Sequence, residues 1–248
     1  MKIVVIGGTG LIGSKVCAIL SAKGHEALAA SPKGGVNAVT GEGLDAALAG
    51  ADVVVDVANS PSWADDDVMA FFSQSSRNLL ASEAKAGVKH HVALSIVNAE
   101  RMPNSGYMRA KVSQENIIKD GRVPYTIVRA TQFMEFMAGI GQGSVVGDAI
   151  RLSPALIQPI ASDDVAEAVA DAALAAPLNG TLDVAGPEKF QLSVIVGRAL
   201  AAIGETRAIV TDPKALYFGT ELDDSCLVPA ATAKARLGKI RYDDFVKR

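Results

Sequence analysis

Two groups of residues have the types and the spacing to do chemistry. Tyr107 and Lys111 stand four positions apart, and on a helix both would project from one face. A tyrosine near its ordinary pKa of about 10 exchanges protons poorly at neutral pH. An ammonium one turn away favours the phenolate, lowers that pKa, and can also grip a ribose hydroxyl. Ser95 precedes the tyrosine by twelve residues and could donate a hydrogen bond to a substrate carbonyl. The same hydroxyl would serve equally well bonded to backbone at a strand end. The second group is Gly7-Gly8-Thr9-Gly10-Leu11-Ile12-Gly13, with Gly7, Gly10 and Gly13 spaced three apart. Such a loop gives a tight turn, a backbone bare enough for a pyrophosphate to approach, and close helix–strand packing. The helix that follows offers free N–H donors and the positive end of its dipole. Glycines also serve any sharp strand-to-helix turn, but here the strand before and the helix after are both present.

These residues need elements to hold them. Residues 3–6 form an apolar β-branched run, and 11–23 have the pattern of a helix. Residues 27–30 make a weak second strand and 36–39 a weak third; 52–57 make a strong buried one, followed by a helix from about 66 to 86. Then come a strand at 91–95, a helix at 107–119 and a strand at 125–129. Strands apolar on both faces and separated by helices imply a parallel sheet covered on both sides, a doubly wound, Rossmann-like α/β fold. The glycine loop leaves the first of these strands. The tyrosine–lysine pair opens the helix after the fifth, near the carboxyl ends where such sheets bind ligands. Beyond about 131 glycines crowd 139–147. A helix at 162–175 follows, with Ser162 as N-cap and Asp163 and Asp164 in its first turn. A strand at 181–184, a helix at 192–203 and an irregular tail complete the chain. This predicts one domain over 1–248: a core of about 1–131 plus 162–185, and a substrate lobe of about 132–161 and 186–248.

The second strand ends in Ser31-Pro32-Lys33 with no carboxylate. An acidic residue there would bond the ribose hydroxyls of NAD and repel a 2′-phosphate, whereas a hydroxyl and a lysine suit NADP. An ordinary surface turn with a solvated lysine reads as well from these three residues. NADP is therefore the expected cofactor, with NAD as the alternative. A net charge of −3 argues against a nucleic-acid partner held on a basic surface. Nearly half the residues are apolar and only 21% are charged, which calls for a large core. No apolar stretch approaches the ~20 residues of a membrane span, and the opening run is too short for a signal peptide. Cys17 and Cys226 match no metal-ligand spacing, and no metal site is expected. The expectation is a cytoplasmic protein with a small-molecule substrate, its oligomeric state unspecified.

The glycine loop, the Tyr107-Met108-Arg109-Ala110-Lys111 segment and Pro124-Tyr125-Thr126-Ile127-Val128-Arg129-Ala130-Thr131 resemble the atypical short-chain dehydrogenase/reductases, NmrA-like proteins among them. Ser162-Asp163-Asp164-Val165-Ala166 and Ala185-Gly186-Pro187-Glu188 are similar to later landmarks of the same group, so the resemblance spans most of the chain. It implies NAD(P) binding along 7–13, including Thr9, Leu11 and Ile12, at Asn59, and near Ala130 and Phe133. It also implies Tyr107 as proton donor and Lys111 as its activator. Active members usually carry the catalytic serine just beyond the fifth strand, where this chain has Ile96 and Val97, which puts Ser95 one step out of place. NmrA-like regulators often lack the tyrosine and sense the cofactor without turnover. The reading is an NADP(H)-dependent oxidoreductase acting on a small carbonyl, quinone or activated alkene. A cofactor-binding redox sensor, or an epimerase or isomerase, is the alternative.

Four further features have ordinary structural readings. The stretch 133–137 could line an apolar pocket or be plain core, and Trp63 could cover the site or pack on the surface. The three histidines read as structural, and Asp65, Asp66 and Asp67 as the favourable start of a helix.

Overall fold

The computed structural model describes residues 1–247. The chain runs β1 (Lys2–Ile6), α1 (Leu11–Ala22), β2 (Glu26–Ala30), α2 (Leu44–Leu48), β3 (Val53–Asp56), α3 (Asp65–Ala86), β4 (His90–Ile96), α4 (Gly106–Lys119) and β5 (Tyr125–Ala130). It continues through α5 (Met137–Gln142), β6 (Val145–Val146), β7 (Ala149–Leu152), β8 (Leu156–Ile157), α6 (Ser162–Leu174), β9 (Gly180–Ala185), β10 (Phe190–Gln191) and α7 (Leu192–Ala202). The last elements are β11 (Ala208–Thr211), β12 (Leu216–Tyr217), β13 (Thr220–Glu221), β14 (Arg236–Leu237) and α8 (Tyr242–Phe245). Seven strands form one sheet in the order β14-β9-β5-β4-β3-β1-β2. The pairings of β1 with β2 and β3, of β3 with β4, and of β9 with β14 are parallel. This is a doubly wound Rossmann-like α/β fold.

Two compact units can be distinguished. The first comprises Met1–Ser95, Gly106–Arg129 and Val165–Leu182. In β1 successive side chains point to opposite faces, yet Ile3, Val4 and Val5 are all fully buried. Only a sheet covered on both sides permits that. Val4 and Ile6 pack with Val54 of β3, Leu44 and Leu48 of α2, and Leu79 of α3. Elsewhere Val68 and Phe72 of α3 meet Ala110 of α4, with Tyr107 against the same cluster. Three aspartates occupy the first turn of α3, and Gly87 closes it in the left-handed conformation at φ +72°. The chain steps from β1 outward to β2 and then back across β1 to β3. The carboxyl ends of β1 and β3 are thus the switch point, where ligands bind in open α/β sheets.

The second unit comprises Ile96–Ser105, Ala130–Asp164 and Asp183–Arg248. It holds a three-stranded sheet in the order β11-β7-β6 and the hairpin of β12 and β13. The tail beyond α7, expected to be irregular, therefore contains four short strands and a short helix.

Two local expectations are corrected. Residues 36–39 are not a strand. Gly35 and Gly41 take φ +79° and +81°, and the Asn37 side chain accepts from the backbone N–H of Val39 at 3.0 Å. Asn78 of α3 donates to the Ala38 and Val39 carbonyls, which uses the groups a ladder would need. Ser162 is the first residue of α6, and both its N–H and its hydroxyl donate to the Glu135 carboxylate.

Candidate active site

The glycine loop is shaped by close backbone contact. Gly7 has φ +77°, and a Cβ there would lie 2.8 Å from the Cα of Ala58, just beyond β3. A Cβ on Gly8 would meet the Cα of Ala29 at 2.6 Å, and one on Gly13 would lie 2.2 Å from the Gly7 carbonyl oxygen. These three glycines are required by packing alone. Gly10 differs: its Cβ would have only the Gly7 oxygen nearby, at 3.3 Å. Gly10 is the N-cap of α1 and carries no side-chain cap, so the first N–H groups of the helix, from Leu11, Ile12 and Gly13, have no partner within the helix. Thr9, Gly10 and Leu11 are exposed. A bare backbone before an uncapped helix start fits a pyrophosphate. At the end of β2, Ser31 is nearly buried and Lys33 is exposed.

The switch point also holds the tyrosine. Its hydroxyl donates to Asn59 Oδ1 at 2.9 Å, and Asn59 follows the Ala58 that touches Gly7. The Trp63 ring lies 5.2 Å from that of Tyr107, and Phe72 sits edge-on to it at 5.8 Å. Trp63 itself is 63% exposed. Burial pushes the Tyr107 phenol up to about 12, opposite to the lowering expected from the lysine.

Lys111 explains the difference. It is 4% exposed, and its ammonium donates to the Leu94 carbonyl at 2.8 Å and to Gln114 Oε1. It also lies 4.4 Å from the centre of the Phe72 ring. Burial pulls it down to about 8, against the opposing charges of Asp56 and Glu115. Gln114 in turn donates from Nε2 to Asp56 Oδ2 at 2.9 Å. Asp56 ends β3 and is 2% exposed.

Ser95 is 3% exposed, and its hydroxyl donates to Glu115 Oε1 at 2.7 Å. Arg129 grips that carboxylate through two nitrogens, at 2.8 and 2.5 Å, and Lys119 adds a second cation at 3.0 Å. Burial would raise the Glu115 carboxyl, but these donors, Arg129 foremost, hold it below its ordinary value.

Residues 7–176 match the NAD(P)H-binding family. The (4-alkanoyl-5-oxo-2,5-dihydrofuran-3-yl)methyl phosphate reductase of Streptomyces griseus is 33% identical, over 80% of this chain and 75% of its own. The chain belongs to the NAD(P)H-binding family. Family and relative together make it an NAD(P)-dependent oxidoreductase. The fold agrees with two solved structures. A short-chain dehydrogenase/reductase superfamily protein from Agrobacterium tumefaciens with bound NAD superposes with a TM-score of 0.69, at 18% identity over 100% of this chain and 95% of that one. A dTDP-4-dehydrorhamnose reductase from Bacillus anthracis in complex with NADP gives 0.69, at 13% identity over 100% and 97%.

Members of this family bind NAD(P)H, and in the first unit Gly10, the start of α1, Asn59 and Lys111 are the residues that could hold it. Ala130 and Phe133 lie in the second unit. There the Ala130 carbonyl accepts from the Val97 N–H at 3.0 Å, and Phe133 stacks on Phe136 at 5.5 Å. Met134 and Met137 of the same stretch are core, whereas Phe136 is 52% exposed. His90 and His91 are buried, bonded to Thr126 and Glu83 at 2.9 and 2.8 Å. Asp65 pairs with Arg109 of α4 at 2.6 Å. Among the described residues no helix is long and apolar enough to cross a membrane.

The sequence reading missed Asp56, Gln114 and Glu115. A signal was present: Lys111, Gln114 and Glu115 follow one another at helical spacing on the face that also carries apolar Ile118. Polar residues on an inward stripe need partners, and Asp56 ending an otherwise apolar strand is such a partner.

Proposed function

We propose that this oxidoreductase is an NADPH-dependent reductase of a small carbonyl, quinone or activated alkene, with Tyr107 as the proton donor. What carries the reading is Tyr107: a neutral hydroxyl at the switch point, bonded to Asn59 beside the glycine loop, with buried Lys111 one turn behind it. The named reductase relative adds a chemical class, since its substrate is a dihydrofuranone; an unsaturated lactone is the first substrate to try.

In this reading the N–H groups at the start of α1 hold the pyrophosphate, Ser31 and Lys33 hold the 2′-phosphate, and Lys111 meets the nicotinamide ribose. Reduced nicotinamide, when bound, supplies the hydride. Tyr107 gives its proton to the oxygen or carbon that gains negative charge. A phenol near 12 keeps that proton at neutral pH yet remains more acidic than the alcohol that forms when it protonates an alkoxide. The Tyr107 hydroxyl must leave Asn59 to reach the substrate; Asn59 Oδ1 keeps the Ser60 N–H as a donor at 3.0 Å. Ser95, buried against Glu115, is assigned to holding α4 on β4 rather than to chemistry.

The test is NADPH oxidation against unsaturated lactones, quinones and aldehydes. Parent protein should turn over at least one class, and Tyr107→Phe should lose about 10²-fold or more, the typical worth of one positioned acid–base group. Cofactor affinity should stay within about twofold, since the hydroxyl faces substrate. Turnover by Tyr107→Phe at the parent rate, or none by the parent, would overturn the assignment.

A further inference from the structure

Lys111, Gln114 and Asp56 are each nearly inaccessible, at 4%, 2% and 2% exposure. Their hydrogen bonds have only one consistent polarity. An ammonium can only donate and a carboxylate can only accept. Gln114 must therefore turn Oε1 to Lys111 and Nε2 to Asp56, as observed. The chain of contacts continues. The other oxygen of Asp56 accepts from the Ala58 N–H at 3.1 Å, and Ala58 is the residue against which Gly7 packs. One path of directed contacts thus runs from the lysine ammonium to the glycine loop. Separating two buried opposite charges by an amide is a poor way to stabilise a fold, because desolvation offsets most of the attraction. An apolar triad of the same volume would serve packing as well.

We propose that Gln114 and Asp56 are positioning residues which hold the Lys111 ammonium in place and register it against the glycine loop. With two of its three N–H groups directed at Leu94 and Gln114, the ammonium keeps one for a ribose hydroxyl. The charged and titratable groups that face this path come from every neighbouring element. Asp56 lies on β3; His91 and Ser95 on β4; Tyr107 and Glu115 on α4; and Arg129 on β5 neutralises Glu115. Asp56 acts on both Lys111 and His91 through its field.

The consequence for turnover rests on the reductase reading, but the arrangement is tested without turnover. The experiment is a carbon NMR titration of ¹³C-lysine-labelled, cofactor-free protein, with the Lys111 signal assigned through Lys111→Arg. Asp56→Asn removes the charge and leaves one acceptor for two donors; with that oxygen kept on the Ala58 N–H, the new NH₂ faces Gln114, which then turns its own NH₂ toward the ammonium. The Lys111 midpoint should fall by about one pH unit or more, the size of effect one nearby opposite charge exerts. Gln114→Met should lower it too. Adding Gln114→Glu to Asp56→Asn moves the carboxylate next to the ammonium and lets the new asparagine donate to it, so the midpoint should return to the parent value or above. A purely structural pair would show no such rescue. An unchanged midpoint in Asp56→Asn or Gln114→Met, or a double variant no better than Asp56→Asn, would overturn the proposal. If the titrations behave as stated but no substrate turns over, the reductase reading fails alone.

Discussion

Lys33 can be tested at the scale of one side chain. It is exposed just beyond β2, beside nearly buried Ser31 and with no carboxylate at the strand end. A charge-assisted hydrogen bond is worth roughly 1.5–3 kcal/mol, so NADPH should bind about tenfold or more tightly than NADH. Lys33→Ala should remove most of that margin and leave NADH affinity nearly unaltered. Calorimetric titration of both cofactors against both proteins decides it; equal affinities in the parent would rule out the 2′-phosphate contact. Tyr107 shows why spacing alone misleads. Four residues of separation bring a lysine onto its face of the helix, but the ammonium is bound to Leu94 and Gln114, and burial then dominates the phenol.

At the scale of an element, the turn from β1 to α1 separates two kinds of glycine. Gly13 packs against the Gly7 carbonyl, and a methyl there would stand 2.2 Å from its oxygen. Gly13→Ala should cost about 3 kcal/mol or more, through overpacking against backbone that cannot yield. Gly10 is the least crowded of the loop's four, a Cβ there meeting only the Gly7 oxygen at 3.3 Å, so Gly10→Val should lower the unfolding midpoint far less than Gly13→Ala while losing either cofactor. Thermal unfolding of both variants, with and without NADPH, separates the roles. A Gly13→Ala protein as stable as the parent would mean that the loop tolerates more than its contacts allow. Normal cofactor binding by a folded Gly10→Val protein would place the pyrophosphate elsewhere.

Across the whole molecule, stability should respond to pH through the buried histidines. Burial by itself would lower His91, but the charge and hydrogen bond of Glu83 and the charge of Asp56 outweigh it and hold His91 above its ordinary value. A raised folded value means that His91 stabilises the fold fully below the unfolded pKa of about 6.5, and that this contribution is lost as pH climbs from there through the folded value. His90 is pushed down to about 4, by burial first and by His91 second. Its contribution has the opposite sign, present above about 6.5 and lost as pH falls toward 4. Thermal unfolding should therefore show a midpoint that declines as pH rises above about 6.5. Glu83→Gln should flatten that decline, because burial then keeps His91 neutral. An equal decline in both proteins would assign the alkaline loss to other groups.

The alternation of apolar strands and helices carried the fold class, since a parallel sheet buried on both faces leaves a pattern that one sequence displays by itself. The glycine loop was equally legible, because only a narrow set of residues fits a backbone that close to another. The stretch 36–39 was not: its residues suit a strand, but the side chains of Asn37 and Asn78, the latter forty residues from Ala38, and the carbonyls of Ser31 and Glu42 claim backbone groups a strand would need. Tyr107 and Lys111 were visible as a pair. Their electrostatics were decided by Asp56, Gln114 and Glu115, of which Asp56 lies on β3, and by burial, which no spacing records. Charge in a protein depends on what surrounds it in three dimensions, and those surroundings come from segments that local sequence patterns cannot relate to one another.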